Sequence, residues 1–195
     1  MYALKKKFRD HRIVLATNSP RRKALFGELG MTFHTASAES DETYPPGLPK
    51  NEIPVFLAVK KAESLSTIVD EKTLLITADT IVCFGDEVLN KPSDKKEATG
   101  MLEKLSGEEH QVITGMCIYS KQKKVTFDCL TKVRFRELAD EEISYYVENY
   151  RPFDKAGAYG IQEWIGYIGV ERIEGSYFNV VGLPVHKLYS CLIGF

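Results

Sequence analysis

A short apolar segment that runs directly into a helix start limits the folds open to this chain more than any other feature. Residues 12–17, RIVLAT, are rich in β-branched side chains and predict a strand. Ser19 and Pro20 follow as the N-cap and first residue of a helix, and Gly30 marks its predicted end. A strand, a short turn and a helix in this order predict one βα unit of an α/β fold.

Strand and helix patterns continue to alternate along the sequence. Residues 73–92 predict a buried strand that runs into a hairpin with its turn at Gly85-Asp86. Because helices alternate with strands and some strands are joined by hairpins, we expect an α/β fold with a mixed sheet flanked by helices. The other strands are predicted at 31–36, 110–120, 123–138 and 165–175, and the other helices at 52–69 (capped by Asn51), 93–107, 140–150 and 184–195.

Length, charge and cysteine content exclude several classes of protein. A chain of 195 residues suits one domain or at most two, and we expect a single domain over 1–195 that starts with a basic extension at 1–12. The formal net charge of −1 argues against a general binder of polyanions. The four cysteines lack the spacing of metal ligands, so we expect four buried thiols in a reducing cytosol: Cys83, Cys117, Cys129 and Cys191.

Targeting signals are not predicted either. The extension at 1–12 is basic but lacks the apolar stretch of a secretory signal. No apolar run reaches the length of a membrane span. We therefore expect a cytoplasmic protein with no membrane partner.

Two adjacent arginines occupy an unusual place. Arg21 and Arg22 fall in the first turn of the predicted helix, where the helix dipole disfavours positive charge. Backbone N–H groups at a helix start and bidentate guanidinium donors together suit the oxygens of a phosphate. The sequence therefore predicts an anion site at Thr17 to Arg22, and the alternative is a pair of solvated surface arginines.

Asp79 interrupts an apolar stretch, between the segments LLIT and IVCF. An unpaired buried carboxylate is very costly, so we expect this side chain to meet a cation, a metal ion or several hydrogen-bond donors. A metal-binding or general-base role and a structural salt bridge both remain open. The acidic loop from Ser40 to Glu42 could join Asp79 in holding one hard cation through oxygen atoms.

Two lysines and a glycine-containing loop complete the set of candidates. Lys61 on a predicted helix and Lys91 at a strand end could supply a pair of cations, although each alone is more typical of a surface. The loop at 154–162 holds two glycines that allow close backbone approach to a flat ligand. Gln162 in this loop offers both a donor and an acceptor to a base edge. The alternative is a glycine-bearing loop that packs beneath the sheet.

Eight segments that carry these candidates occur in order between residues 13 and 192: ATNSPRRKALFGELG, DE, LAVKKA, ADTIV, LNKP, KLSGEEHQVITG, DKAGAYGIQ and GSYFNVVGLPV. Together they resemble the Maf family of nucleoside triphosphate pyrophosphatases, once described as septum-formation inhibitors. The resemblance implies an elongated α/β fold like that of inosine triphosphate pyrophosphatase, with a twisted sheet and two lobes around a cleft. It also implies a homodimer and the hydrolysis of a nucleoside triphosphate to the monophosphate and pyrophosphate with Mg²⁺, Mn²⁺ or Co²⁺.

The resemblance also implies a role for each candidate residue. Asp79 falls on the position of the proton acceptor, and Glu42 and Asp79 on positions that contact the metal. The positions that contact the substrate are Ser19, Arg21, Lys61 and Lys91. The positions that select the base are Arg22, Thr80 and Gln162, and this combination is similar to the branch that prefers dTTP and UTP.

Three other functions are alternatives to the hydrolysis of dTTP and UTP. A sister branch of the family cleaves 7-methyl-GTP, and a nucleotide-sensing regulator of septum formation would bind without turnover. General nucleic-acid binding fits poorly with a nearly neutral chain. If a triphosphate supplies the charge that opposes the two arginines, Arg→Ala at either position is expected to cost the free protein little stability.

Overall fold

The computed structural model describes residues 2–37 and 41–195, with Tyr2 described by its backbone alone. Within these ranges the chain forms a sheet whose strands alternate with helices. The strands are β1 (Arg12–Ala16), β2 (His34–Ala36), β3 (Thr73–Phe84), β4 (Glu87–Leu89), β5 (Glu109–Tyr119), β6 (Lys124–Phe135) and β7 (Val170–Glu174). The helices are α1 (Tyr2–Lys7), α2 (Pro20–Gly27), α3 (Ile53–Ser64), α4 (Lys95–Leu105), α5 (Asp140–Tyr150), α6 (Trp164–Gly169), α7 (Tyr177–Val181) and α8 (Val185–Gly194).

The sheet is mixed, as the sequence predicts. Its strand order is β2-β1-β3-β5-β6-β7, and β4 pairs with β3 outside this path. β1 pairs in parallel with β2 on one side and with β3 on the other, in a register that places Val14 opposite both His34 and Leu75. The pairs β3–β4 and β6–β7 are antiparallel. The predicted α/β fold with helices around a mixed sheet is therefore confirmed.

Contacts divide the chain into two compact units. The first unit comprises Met1–Asp79, Thr114–Cys129 and Gly182–Phe195, and the second comprises Thr80–Ile113 and Leu130–Val181. The strands β3, β5 and β6 each contribute residues to both units. A single domain over 1–195 stays a prediction.

In the first unit, apolar side chains pack on both faces of the parallel strands. Leu15, Leu74 and Ile76 belong to one buried cluster, whereas Val14 and Leu75 belong to another. This alternation follows from the two-residue period of a strand, and helices cover both faces of such strands in α/β folds. The first cluster includes residues of α1, α2 and α8, and the second includes residues of α3.

The basic N-terminal extension, to which the sequence analysis gives no role, contributes to this core. Leu4 on α1 is fully buried and Phe8, just after this helix, is almost fully buried. Both belong to the same cluster as Leu188 and Leu192 of α8. The extension therefore packs its apolar side chains against the C-terminal helix.

The helix α3 is held close to the sheet. The Thr77 hydroxyl on β3 donates a hydrogen bond of 2.6 Å to the Ala58 carbonyl oxygen on α3. On β5, a Cβ atom at Gly115 would lie only 2.1 Å from the carbonyl carbon of Pro54. A residue other than glycine at 115 would therefore push the first turn of α3 away from the sheet.

An aromatic cluster surrounds a buried histidine in the second unit. The rings of His110, Phe135 and Tyr159 contact one another edge to face, with centroids 4.9–5.3 Å apart. His110 Nε2 lies 2.8 Å from the Tyr159 hydroxyl oxygen, and burial lowers the pKa of His110 to about 4. The imidazole is therefore neutral near pH 7.

Some element boundaries differ from the prediction. Glu52, rather than Asn51, precedes α3, and the predicted helix over 52–69 ends at Ser64, with a 3₁₀ turn following at Ser66–Ile68. α2 ends at Gly27, before the predicted stop at Gly30. Its last turn and the loop beyond it are closed by bonds from the amides of residues 28–30 to the carbonyls of residues 24, 26 and 27.

Two other predictions need correction. Residues 165–175 do not form one strand, because Trp164–Gly169 is the helix α6 and β7 begins at Val170. Cys83 and Cys117 are buried as predicted, but Cys129 and Cys191 are only half-buried. Across 2–37 and 41–195, we find no helix with the length and apolar character of a membrane span.

Candidate active site

In the first unit, the predicted site segments follow the carboxyl ends of parallel strands. The turn before α2 follows β1, and Asp79 lies two residues beyond Thr77, the last residue of β3 that pairs with β1. Because β2 and β3 lie on opposite sides of β1, the chain reverses its direction across the sheet at this point. Ligands of open α/β sheets bind at such a switch point.

Asp79 has a cation partner, as its apolar neighbours predict. Lys61 Nζ on α3 lies 2.5 Å from Asp79 Oδ1, and the two side chains are only 12% and 9% exposed. Both groups are largely shielded from water, so each stabilises the charge of the other. The structure thus contains the salt bridge that the sequence leaves open as one of the possibilities for Asp79.

Glu42 contacts the same ammonium group. Its Oε1 atom is 3.3 Å from Lys61 Nζ, so Glu42 and Asp79 converge on one cationic centre. Two carboxylates supply oxygen donors of the kind that Mg²⁺ accepts together with phosphate oxygens. The residues therefore fit a divalent metal, although no group of three or more His, Cys, Asp or Glu side chains that could hold a metal is found within 2–37 and 41–195.

The loop that carries Glu42 is fixed to α3 by its neighbours. Asp41 accepts hydrogen bonds from the amide and the hydroxyl of Thr43, and these bonds lower the pKa of Asp41. Lys60 Nζ lies 3.2 Å from the Thr43 carbonyl oxygen and 3.4 Å from Asp41 Oδ2. Ser40, at the start of the predicted acidic loop, lies outside the described residues.

Arg22 is tied to backbone carbonyls. Its Nη1 atom donates to the Ala78 oxygen at 3.0 Å, and its Nε atom donates to the Gly182 oxygen at 2.8 Å. Burial lowers the pKa of the Arg22 guanidinium, and the charge of Asp79 opposes this effect. The alternative of a solvated surface arginine is therefore wrong for Arg22, which fixes the residue before Asp79.

The helix start contributes fewer amides to an anion than the sequence suggests. Ser19 is the N-cap of α2, as predicted, and its hydroxyl accepts from the Arg22 amide at 3.4 Å. The Ser19 amide donates to Thr17 Oγ1 at 3.1 Å. The amides of Ser19 and Arg22 thus already have acceptors, and an anion here would depend on side chains such as the half-buried Arg21.

The remaining predicted residues belong to the second unit. Thr80 on β3 is half-buried, whereas Lys91 and Gln162 are exposed. The segments around them meet, since the Gly157 amide donates to the Asn90 carbonyl oxygen at 3.2 Å.

Gly157 is required where these segments meet. Its φ is +69°, and a Cβ atom there would lie 2.9 Å from a methyl carbon of Val82. The close approach at this glycine is thus made to Val82 on β3. The predicted contact of the loop with a flat ligand stays a prediction.

Sequence reasoning missed three side chains next to Gln162. Lys155 is only 8% exposed, and its Nζ atom lies 3.0 Å from Glu163 Oε1 and 2.7 Å from Asp154 Oδ1. The Tyr146 hydroxyl on α5 donates to Glu163 Oε2. Lys155 stands in the quoted motif DKAGAYGIQ, but Tyr146 and Glu163 carry no local signal because their contact joins residues 17 positions apart.

Comparison with known proteins gives one family. The model of the Maf-like protein family matches residues 12–195. A protein of Porphyromonas gingivalis W83 named dTTP/UTP pyrophosphatase is 50% identical over 190 residues, which cover 96% of each chain. A protein of the same name from Parabacteroides distasonis is 51% identical over 93% of this chain and 95% of its own. Another from Flavobacterium psychrophilum is 46% identical over 97% of each chain.

Proposed function

Because the chain belongs to the Maf-like protein family, we propose that it hydrolyses dTTP and UTP to the nucleoside monophosphate and pyrophosphate. The reaction consumes one water molecule and breaks the bond between the α and β phosphates. Relatives named for this activity match nearly the whole chain at about 50% identity. The observation that carries the proposal is the buried Lys61–Asp79 pair, which puts a cation and a carboxylate together beside Glu42 at the switch point.

In the proposed mechanism, Asp79 acts at the reacting phosphate. It either accepts a proton from the attacking water or serves as a metal ligand together with Glu42. Lys61, Arg21 and Ser19 bind phosphate oxygens, and the two cations stabilise the charge that develops on the leaving pyrophosphate. The contact of Lys61 with Asp79 supports this assignment, because it aims an ammonium group at the place where negative charge would gather.

A divalent metal would complete this set, with Mg²⁺, Mn²⁺ and Co²⁺ as candidates. Glu42 and Asp79 would hold it, since both already face one cationic centre. When bound, such a metal polarises phosphate oxygens and neutralises charge on a leaving pyrophosphate.

Residues of the second unit receive the remaining roles. Lys91 binds phosphate, while Thr80 and Gln162 select the base together with Arg22. The bonds of Arg22 to Ala78 and Gly182 favour an indirect contribution, through the strand that carries Thr80. We further propose a cytoplasmic homodimer without stable nucleic-acid binding, and the net charge of −1 supports the last point.

The test is a product analysis with a panel of nucleotides. Ion exchange separates the products of dTTP, UTP, CTP, modified pyrimidine triphosphates, GTP and 7-methyl-GTP, each with Mg²⁺, Mn²⁺ or Co²⁺. We expect monophosphate and pyrophosphate, formed fastest from dTTP and UTP. Diphosphate and orthophosphate would contradict the proposed bond cleavage, and a preference for 7-methyl-GTP would move the chain to the sister branch.

A further inference from the structure

Gln162 lies on a tight turn whose two ends are held by the same side chain. The Glu163 amide donates to the Gly160 carbonyl oxygen at 2.9 Å, which closes a four-residue β-turn. Of the two central residues, Ile161 is buried and Gln162 is exposed. Gln162 therefore stands at the outer corner of this turn.

The hydroxyl of Tyr146 contacts both ends of the turn. It accepts a hydrogen bond of 3.0 Å from the Gly160 amide and donates one to the Glu163 carboxylate. Tyr146 is fully buried on α5, where its ring stacks on Tyr150 with centroids 5.0 Å apart. One oxygen atom on a rigid helix thus links the first and fourth residues of the turn.

The surroundings leave the turn little freedom. Lys155 Nζ holds the other oxygen of Glu163 at 3.0 Å. A Cβ atom at Gly160 would lie 2.8 Å from Glu163 Cδ and 3.0 Å from Lys155 Cε. Burial also raises the pKa of Tyr146, so its hydroxyl remains a hydrogen-bond donor throughout the working range of pH.

We propose that Tyr146 is a positioning residue, which sets the selectivity for the base by fixing the turn that carries Gln162. This inference rests on the proposed function, in which Gln162 contacts the base. Tyr146 acts only through the turn, so its loss affects substrates that depend on Gln162. A merely structural tyrosine would instead lower activity towards every triphosphate alike.

The test compares Tyr146→Phe with the native protein by kcat/KM for dTTP and for GTP. The phenyl ring keeps the packing and removes both hydrogen bonds. We expect the ratio of kcat/KM for dTTP to that for GTP to fall by at least about 2- to 10-fold, the usual effect of losing a single buried hydrogen bond, with the value for GTP nearly unchanged. Tyr159→Phe is the matched control, because it removes a buried hydroxyl next to the turn whose partner is His110 on β5 rather than a residue of the turn.

A double variant separates this inference from the proposed function. If Tyr146 acts through Gln162, Tyr146→Phe adds little to the loss of selectivity in Gln162→Ala. If Gln162→Ala lowers the ratio of kcat/KM for dTTP to that for GTP, the base is read at this residue. An unchanged ratio in Tyr146→Phe, or an equal fall of kcat/KM for both nucleotides, would then overturn the positioning role of Tyr146. No change of ratio in Gln162→Ala would overturn both ideas.

A second variant covers the case in which Tyr146→Phe does not fold. Glu163→Leu keeps the approximate size of the side chain and removes both the acceptor of the Tyr146 hydroxyl and the ion pair with Lys155. We expect a smaller fall of the same ratio, and an unchanged ratio in this variant would count against the inference.

Discussion

Lys61 Nζ lies 2.5 Å from Asp79 Oδ1, and the two nearly buried side chains form the centre of the candidate site. Each residue comes from a different element, α3 and β3, and the Thr77–Ala58 hydrogen bond fixes these elements to each other. Chemistry at Asp79 therefore depends on the position of α3 as well as on the strand.

Asp79→Asn should nearly abolish turnover while the protein stays folded. The amide keeps an oxygen that accepts from Lys61, but it can neither take up a proton nor bind a metal strongly. Loss of a general base typically lowers kcat about 10²- to 10⁴-fold. Steady-state assays with dTTP and a thermal melt measure both effects, and Asp10→Asn, at an exposed turn, is the control. Turnover near the native rate in a folded Asp79→Asn protein would remove the catalytic assignment.

Arg22→Ala should destabilise the free protein more than Arg21→Ala. The change leaves the carbonyls of Ala78 and Gly182 without their donor, and each such loss costs about 1–3 kcal/mol of unfolding free energy. The sequence alone predicts that both substitutions are tolerated, and the contacts of Arg22 with the two carbonyls change this prediction for Arg22. Urea unfolding without nucleotide measures the difference. Equal stabilities of the two variants would show that the carbonyl contacts contribute nothing.

Lys91→Ala should lower kcat/KM for dTTP, UTP and GTP by the same factor. A charge-assisted hydrogen bond to phosphate is worth about 1.5–3 kcal/mol, which corresponds to roughly a 10- to 150-fold loss. Lys96→Ala provides the control, since this lysine is exposed on α4. A loss confined to the pyrimidine nucleotides would instead assign Lys91 to the base.

Unfolding free energy should fall as the pH drops from 6.5 towards 4. Burial lowers the pKa of His110 to about 4, so the unfolded chain binds a proton in this range and the native state does not. The neutral, buried His110 makes its full contribution to the unfolding free energy above pH 6.5. At pH 4.5 this contribution is about 2–3 kcal/mol smaller. Urea titrations of the native protein and of His110→Gln measure it. His186→Gln, at an exposed site, should keep the native pH dependence.

Leu4→Ala should lower the unfolding free energy by about 2–5 kcal/mol, the usual cost of truncating a buried leucine. Leu4 is fully buried in the cluster that contains Leu188 and Leu192. Lys5→Ala on the same helix changes an exposed residue and should have little effect. Equal melting temperatures for the two variants would mean that α1 does not contribute to the core.

Local patterns were enough to predict the parts of the site that lie within one segment. The Ser19 cap follows from residue order, and the cation at Asp79 follows from the cost of an unpaired carboxylate in an apolar stretch. The sequence does not identify that cation as Lys61, because other cationic side chains and a metal ion fit the pattern equally well. Its choice depends on how α3 packs on β3, which residue spacing alone does not give.

Contacts between distant residues explain what the sequence did not predict. The bond from Arg22 to Gly182 joins residues 160 positions apart. The segment at 165–175 is rich in β-branched and aromatic residues and so resembles a strand. Its first part is helical instead, and Gly166 lies against the Ile161 carbonyl five residues earlier, where a side chain would not fit.

The packing of α1 against α8 also affects how the core of the first unit forms during synthesis on the ribosome. Synthesis delivers residues at about 5–20 per second from the N-terminal end, so Leu4 and Arg22 emerge long before their partners at 188 and 182. Until residues 182–192 leave the exit tunnel, the nascent chain lacks the helix whose leucines complete the cluster of Leu15 and Ile76. Chaperones therefore have a defined interval in which to shield this apolar surface.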